Sequence, residues 1–342
     1  MNPKRWVLFS VSALLICSAL CAGTVYLVDP FEQYRESAIL PLYDQESYNN
    51  PGIVKNYDYD AVILGTSMVE MSHPSVIDAC FGVHSVKLPM RGSYSAQMGW
   101  QLSHVLEQRD LKLAILEVDP YSMMGSPDDT DELFDYLWND NPLDDIHYLL
   151  NRDVLLVRVP KMLKNIGKPL DTKRDDMYQW TDVTFAEQSV LDVVPYKEQQ
   201  AMHPADAGAA RAAENIQRHI EPYIKAHPEV SFKIYMPPYS AGYWYLMTRG
   251  GLSEQYYAAR ARLCELLLPY PNVEIYDFAS RTDWILNLDH YFDASHHSST
   301  ISDALMQDMA AGKCRVLSVS DMEEGSERIR RAVDDFAEKY GR

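Results

Sequence analysis

The chain has 342 residues, 47% of them apolar, and a formal net charge of -18. Such length and apolar content suffice for a sizeable buried core. A field this negative excludes a nucleic-acid partner unless a local basic patch overrides it, and the one weak basic cluster, 328-RIRR-331, reads as a solvated helix face.

In chain order, the first element is the plainest. After Lys4 and Arg5 comes 6-WVLFSVSALLICSALCAGTVYLV-28, 23 residues without a charge. At 1.5 Å per residue such a run crosses a hydrocarbon core of about 30 Å. Lys4 and Arg5 precede it and Asp29 and Glu32 follow it, so the positive-inside rule places residues 1–5 in the cytoplasm and everything after residue 28 outside. The expectation is an uncleaved, single-pass signal-anchor, since no second apolar run of this length follows. A cleaved signal peptide stays open, because 19-ALCAG-23 offers small residues, although the run is long for one. A lipoprotein fits less well, as Cys17 and Cys21 lack the usual small residue before them. Cys80, Cys264 and Cys314 remain outside the span and allow at most one intramolecular disulfide.

Residues 29–56 read as a juxtamembrane connector, with 41-PLYDQESYNNPG-52 as loop. Five short apolar runs then look like buried parallel strands: 61-AVILG-65, 84-HSVKL-88, 113-LAILEV-118, 231-SFKIYM-236 and 273-VEIYDF-278. Helical patterns lie between them at 99–108, in the Ala-rich 206–227 and at 253–269, the last opened by Ser253 as an N-cap. The alternation predicts an α/β fold with a central parallel five-stranded sheet. A helical insertion at about 123–204 interrupts it, beginning with the acidic 127-PDDTDELFDYLWNDNPLDD-145 and continuing through 149-LLNRDVLLVRVPKMLKNIG-167. It reads either as helices packed over the sheet or as a substrate lid. The tail 318–342 reads as a loop followed by an amphipathic helix.

Two segments carry chemistry. The first strand runs into 63-ILGTSMVEMS-72, which puts Ser67 on the turn at the carboxyl edge of the sheet, where a nucleophile is exposed; a turn-forming or capping serine is the plain alternative. Near the C-terminus, 289-DHYFDASHHS-298 holds three histidines and two aspartates. A serine nucleophile needs a base and the base an orienting carboxylate, which Asp293 and His296 supply at D-x-x-H spacing on the loop after the last strand. The same cluster can be read as mixed zinc ligands, His290, Asp293 and His296 or His297. That spacing matches no well-defined zinc motif and leaves Ser67 unexplained.

A first-strand Gly-x-Ser together with a C-terminal D-x-x-H resembles the SGNH (GDSL-type) hydrolase superfamily, from about residue 58 to about residue 310 without the insertion. The membrane-anchored form is similar to exported SGNH-like proteins of bacterial surface-polysaccharide O-acetylation and teichoic-acid D-alanylation. The resemblance implies a three-layer, flavodoxin-like domain over 57–317, with Ser67 as nucleophile, His296 as base and Asp293 as its orienter. It implies an oxyanion donor at the backbone of Gly92 in 88-LPMRGSYSAQ-97. Where the family's third block offers an asparagine, this chain has 116-LEVDPYS-122. Asp119 would repel an oxyanion there, so Tyr121, Ser122 or a backbone N–H would have to donate. Arg91 reads either as a clamp on an anionic substrate or as a salt-bridge partner, and Tyr239 and Trp244 in 239-YSAGYWYLM-247 either as a sugar platform or as core. The implied activity is O-acyl (acetyl) transfer or ester hydrolysis on a cell-surface polysaccharide or cell-wall polymer, without a cofactor, with a membrane-bound acyltransferase as the partner supplying acyl groups. The rival is a catalytically weak or inactive binding or assembly protein of the same fold.

Overall fold

The structure is a computed structural model that describes residues 3–131, 133–171, 173–194 and 207–341. The end of the expected insertion (195–204) and the first residue of the Ala-rich run (206) lie outside the described residues. The chain divides into two compact units, one of residues 1–58 and 132–173, the other of residues 59–131 and 174–342.

The first unit begins with helix α1, Pro3–Val28, which is long and apolar enough to cross a membrane. The chain then turns through Asp29, whose φ is positive. Its carboxylate accepts the backbone N–H groups of Gln33 (2.9 Å) and Tyr34 (2.8 Å) and the Tyr148 hydroxyl (3.1 Å). Burial pushes the Asp29 pKa up to about 6 against those bonds. Lys173 reaches Glu32 at 2.7 Å with both side chains buried, and the Tyr57 hydroxyl donates to the same carboxylate at 2.8 Å. Tyr148 and Lys173 thus join the middle of the insertion, 132–173, to the N-terminal segment, while 174–194 belongs to the second unit. The connector is likewise folded. The stretch read as loop runs into the helix Glu46–Asn56, which includes Pro51 and buries Asn49 through Val54. Its Asn-Asn-Pro-Gly run has the composition of a turn, and tertiary burial overrides that local signal.

The second unit is a mixed α/β domain around a six-stranded, mostly parallel sheet. The strands are β1 Ala61–Gly65, β2 Ser85–Pro89, β3 Leu113–Glu117, β4 Ser231–Met236, β5 Val273–Asp277 and β6 Arg315–Val316, in the order β2-β1-β3-β4-β5-β6. The first five are parallel, with Ile63 opposite both Lys87 and Ile115, and Ile234 opposite Leu116 and Ile275. The sixth corrects the five-strand expectation: two residues pair antiparallel with β5, too short a stretch to leave a periodic signal. β1, β2 and β3 are buried at every position, as covered parallel strands are. On one face Ala61, Ile63, Leu113 and Ile115 pack against Ile77 of helix Pro74–Phe81 and Leu305, Met306 and Met309 of helix Ser299–Ala310. Helix Ser95–Gln108 touches β1 and meets Ala207–His219, which packs on Ser253–Leu267. The Ala-rich pattern breaks after His219 and resumes as Glu221–Ala226, with Pro222 in the first turn. The tail needs no loop: Ser318 caps a helix running over Val319–Tyr340.

Lys87 is fully buried in β2. Its ammonium donates to the backbone carbonyls of Glu70 and Ser72 (both 2.8 Å) and Asp175 (3.0 Å). Burial lowers its pKa to about 7. Those three bonds pin the segment that leaves β1 to the chain that follows residue 173.

Candidate active site

One residue, Thr66, separates β1 from Ser67, which opens the short 3₁₀ turn Ser67–Val69 capped by that threonine. In this strand order the sheet is built outward in opposite directions from β1 and β3, and the crevice beyond the carboxyl ends of such strands is where open α/β sheets hold ligands. The turn is fixed from beneath by β3. The buried Glu117 carboxyl accepts the Thr66 backbone N–H at 2.8 Å and the Thr66 hydroxyl at 2.9 Å, both at Oε2. Residue 65 must be glycine, because a Cβ there would sit 2.6 Å from Glu117 Cβ and 2.7 Å from both Glu117 Oε2 and Val69 Cγ1. Burial, then the nearby Asp119 charge, push the Glu117 pKa well above the carboxylate range, against the two bonds from Thr66.

The loop 291–297 carries Asp293 and His296. Tyr291 and His297 form an antiparallel bridge. Phe292 N–H donates to the His296 carbonyl at 3.2 Å, and Ser298 N–H to the His290 carbonyl at 2.8 Å. The Pro-Pro-Tyr-Ser exit from β4 clamps this loop: the Tyr291 hydroxyl donates to the Pro238 carbonyl (2.7 Å) and the Ser240 hydroxyl to the Ala294 carbonyl (2.6 Å).

Ser67 and His296, 229 positions apart in sequence, meet with Oγ 2.8 Å from Nε2. His296 Nδ1 lies 2.9 Å from Asp293 Oδ2, while Asp293 Oδ1 accepts the N–H groups of Ser295 (2.7 Å) and His296 (2.8 Å). Burial raises the Asp293 pKa, and the His296 ring and the two N–H groups outweigh it, so the net shift is downward. An ionised carboxylate only accepts, so Nδ1 carries the proton and Nε2 faces Ser67 as an acceptor. Phe292 stacks on the imidazole (centroids 5.1 Å, 5°) and Trp180 meets it edge-on (4.9 Å, 89°). Trp180 Nε1 in turn donates to Glu70 Oε2. These rings shield one side of the imidazole, yet Ser67 and His296 stay partly exposed.

Gly92 adopts a left-handed φ of 64° and is exposed. Among the described residues, the backbone N–H groups of Ser67 and Gly92 donate to no protein acceptor. The third-block donors are committed elsewhere. Asp119 is buried, caps the helix Pro120–Met124 through Ser122 N–H (2.6 Å), and accepts the Tyr239 hydroxyl at 2.5 Å. The Ser122 hydroxyl donates to the Asp119 carbonyl (2.9 Å), and the Tyr121 hydroxyl shares a bond with Tyr94 (3.0 Å). Arg91 takes the salt-bridge reading, with Nε 2.7 Å from Glu70 Oε1.

The sugar-platform reading of Tyr239 and Trp244 is corrected. Tyr239 is buried under Asp119 and stacks on Tyr243 at 4.3 Å, and Trp244 is fully buried against Tyr257. Beyond the carboxyl end of β4, Ser240 caps helix Ala241–Arg249, which is buried from Ala241 through Met247. Sequence reasoning also missed Glu117, Trp180, Phe292 and Tyr291. An acid inside an apolar strand was the available signal for Glu117; the aromatic residues carried none.

For the metal reading, no group of three or more His, Cys, Asp or Glu side chains among the described residues is arranged to hold an ion. His297 points elsewhere, with Nδ1 3.3 Å from the Ser298 carbonyl and 3.4 Å from the Ser302 hydroxyl. Burial pulls its pKa from 6.5 to about 4. The unfolded chain therefore binds this proton first, and the stability of neutral His297 is present above pH 6.5 and lost as pH falls towards 4. Between pH 7 and 4.5 the wild type should lose about 2–3 kcal/mol more than His297→Gln in urea unfolding. Equal losses in the two proteins would refute the assignment.

No protein-family model matches the chain, and no curated protein matches it either.

Proposed function

We propose that the chain is a serine-dependent O-acyltransferase or esterase that acts outside the cytoplasm on a cell-surface polysaccharide or cell-wall polymer. The observation that carries this reading is the continuous line of hydrogen bonds from Ser67 through His296 to Asp293. Ser67 Oγ would attack an acyl carbonyl while His296 Nε2 takes its proton. The oxyanion would rest on the N–H groups of Ser67 and Gly92, and the leaving alcohol would take the proton back from His296. A sugar hydroxyl or water, deprotonated by the same histidine, would then discharge the acyl-serine. The extracytoplasmic placement comes from reading α1 as a signal-anchor and from the charge step across it. The strand order β2-β1-β3-β4-β5 is that of doubly wound flavodoxin-like sheets, which supports the SGNH resemblance by fold analogy. In this reading a membrane-bound acyltransferase supplies the acyl group.

The commitment of Asp119, Ser122 and Tyr121 to other partners favours the weakly active or non-catalytic alternative, because it leaves the oxyanion only backbone donors. One assay separates the two. The full chain incubated with p-nitrophenyl acetate should release a burst of nitrophenol and carry an acetyl group on the Ser67 peptide, with both signals absent in Ser67→Ala. Identical traces from the two proteins, with no acetylated serine, would leave only the binding reading.

A further inference from the structure

The first unit carries an apolar surface that its own packing leaves uncovered. In the consecutive helical turns Val154–Arg158 and Val159–Leu163, the side chains of Val154, Val159 and Met162 are buried. That face is satisfied. The outward positions are nevertheless apolar: Leu156 is 61% exposed, Leu163 42%, and the following Ile166 64%. Leu143, at 80%, and Ile146, at 54%, extend the surface towards the N-terminal side. A helix apolar on both sides is poorly suited to water, and scattered chance does not concentrate so many large side chains in one segment.

Two further observations name what covers it. Helix α1 touches Ile146–Leu149 and both helical turns, so the exposed apolar side chains sit on elements packed against the one that is long and apolar enough to enter a bilayer. The same segment also reverses the charge of the chain. Residues 143–168 hold Arg152, Arg158, Lys161, Lys164 and Lys168 against Asp144, Asp145 and Asp153, a basic excess in a protein of net charge -18. Arg152, Lys161, Lys164 and Lys168 are exposed. Apolar side chains interleaved with lysines whose stems can lie along lipid is the chemistry of an in-plane interfacial helix, and the basic excess suits anionic headgroups.

We infer that residues 143–168 form a lipid-docking surface that lies in the headgroup layer of the bilayer entered by α1. This rests on reading α1 as a membrane anchor. The surface gives the chain a second membrane contact, so the N-terminal segment is held at the interface instead of swinging on a free stalk.

The test uses the full chain in proteoliposomes containing a phospholipid with a photoreactive diazirine in its acyl chain, with adducts mapped by peptide mass spectrometry. Adducts are expected on 143–168 as well as on 3–28. Leu156→Asp with Ile166→Asp should lower those on 143–168 about fivefold or more without changing thermal unfolding. Lys161→Glu with Lys164→Glu should lower them about fivefold per charge, only in vesicles that contain anionic phospholipid. Adducts on 3–28 alone, or protein–protein crosslinks at Leu156 in place of lipid, would overturn the docking surface and leave the anchor standing. Adducts on neither segment would overturn the anchor reading, and the docking surface with it.

Discussion

Replacing Asp293 by asparagine should slow acylation of Ser67 by a factor of about 10³–10⁴ while leaving the fold intact. The carboxylate does two jobs. Oδ1 accepts the N–H groups of Ser295 and His296, which an asparagine oxygen can also do, so the loop keeps its shape. Oδ2 accepts the proton on His296 Nδ1. An asparagine NH₂ in that place donates, and it favours the tautomer with Nδ1 bare and Nε2 protonated. That ring faces Ser67 with a hydrogen it cannot exchange for the serine proton, and it lacks the negative charge that steadies an imidazolium. The measurement is kcat/KM for an aryl acetate, alongside urea unfolding. A rate within about threefold of wild type would remove Asp293 from the mechanism.

The second large effect is expected at Glu117, which touches no substrate and acts through Thr66. Glu117→Ala strips the acceptor from the Thr66 N–H and hydroxyl, both buried, at about 1–3 kcal/mol for each orphaned donor. It also opens a cavity beneath Gly65, for a total of about 3–5 kcal/mol. Because Thr66 immediately precedes Ser67, the acylation rate should fall at least tenfold in whatever fraction stays folded. Glu117→Gln separates shape from charge. Burial pushes the pKa of this carboxyl upward, and an amide oxygen can accept both Thr66 bonds, so Glu117→Gln should cost about 1 kcal/mol and preserve activity. If Glu117→Gln were as damaging as Glu117→Ala, a working negative charge, and not the seating of Thr66, would be the role of this residue.

Much of this was legible in the sequence, for physical reasons. The five parallel strands announce themselves because burial on both faces demands continuous apolar runs. Ser67, Asp293 and His296 could be chosen because a nucleophile, a base and an orienter must fall at the carboxyl edge of such a sheet. The folded connector was hidden, since the pull of Tyr148 and Lys173 on residues 29–57 comes from more than a hundred positions away. Trp180 and Phe292 were hidden for the same reason: nothing local marks an aromatic that ends against His296. Tyr239 and Trp244 misled, because an aromatic run looks alike whether its rings face a ligand or the core, and only the Ser240 cap fixes the phase of that helix. Asp119 was read as a poor oxyanion donor, and its partnership with Tyr239 could not be read from spacing.

If Ser67 is a nucleophile, His296 makes it reactive. Treating the full chain with a fluorophosphonate probe and mapping the adduct tests it most directly. One adduct is expected, on Ser67, formed at least about a hundredfold more slowly in His296→Ala. An unlabelled Ser67, or labelling that proceeds unchanged without His296, would contradict it.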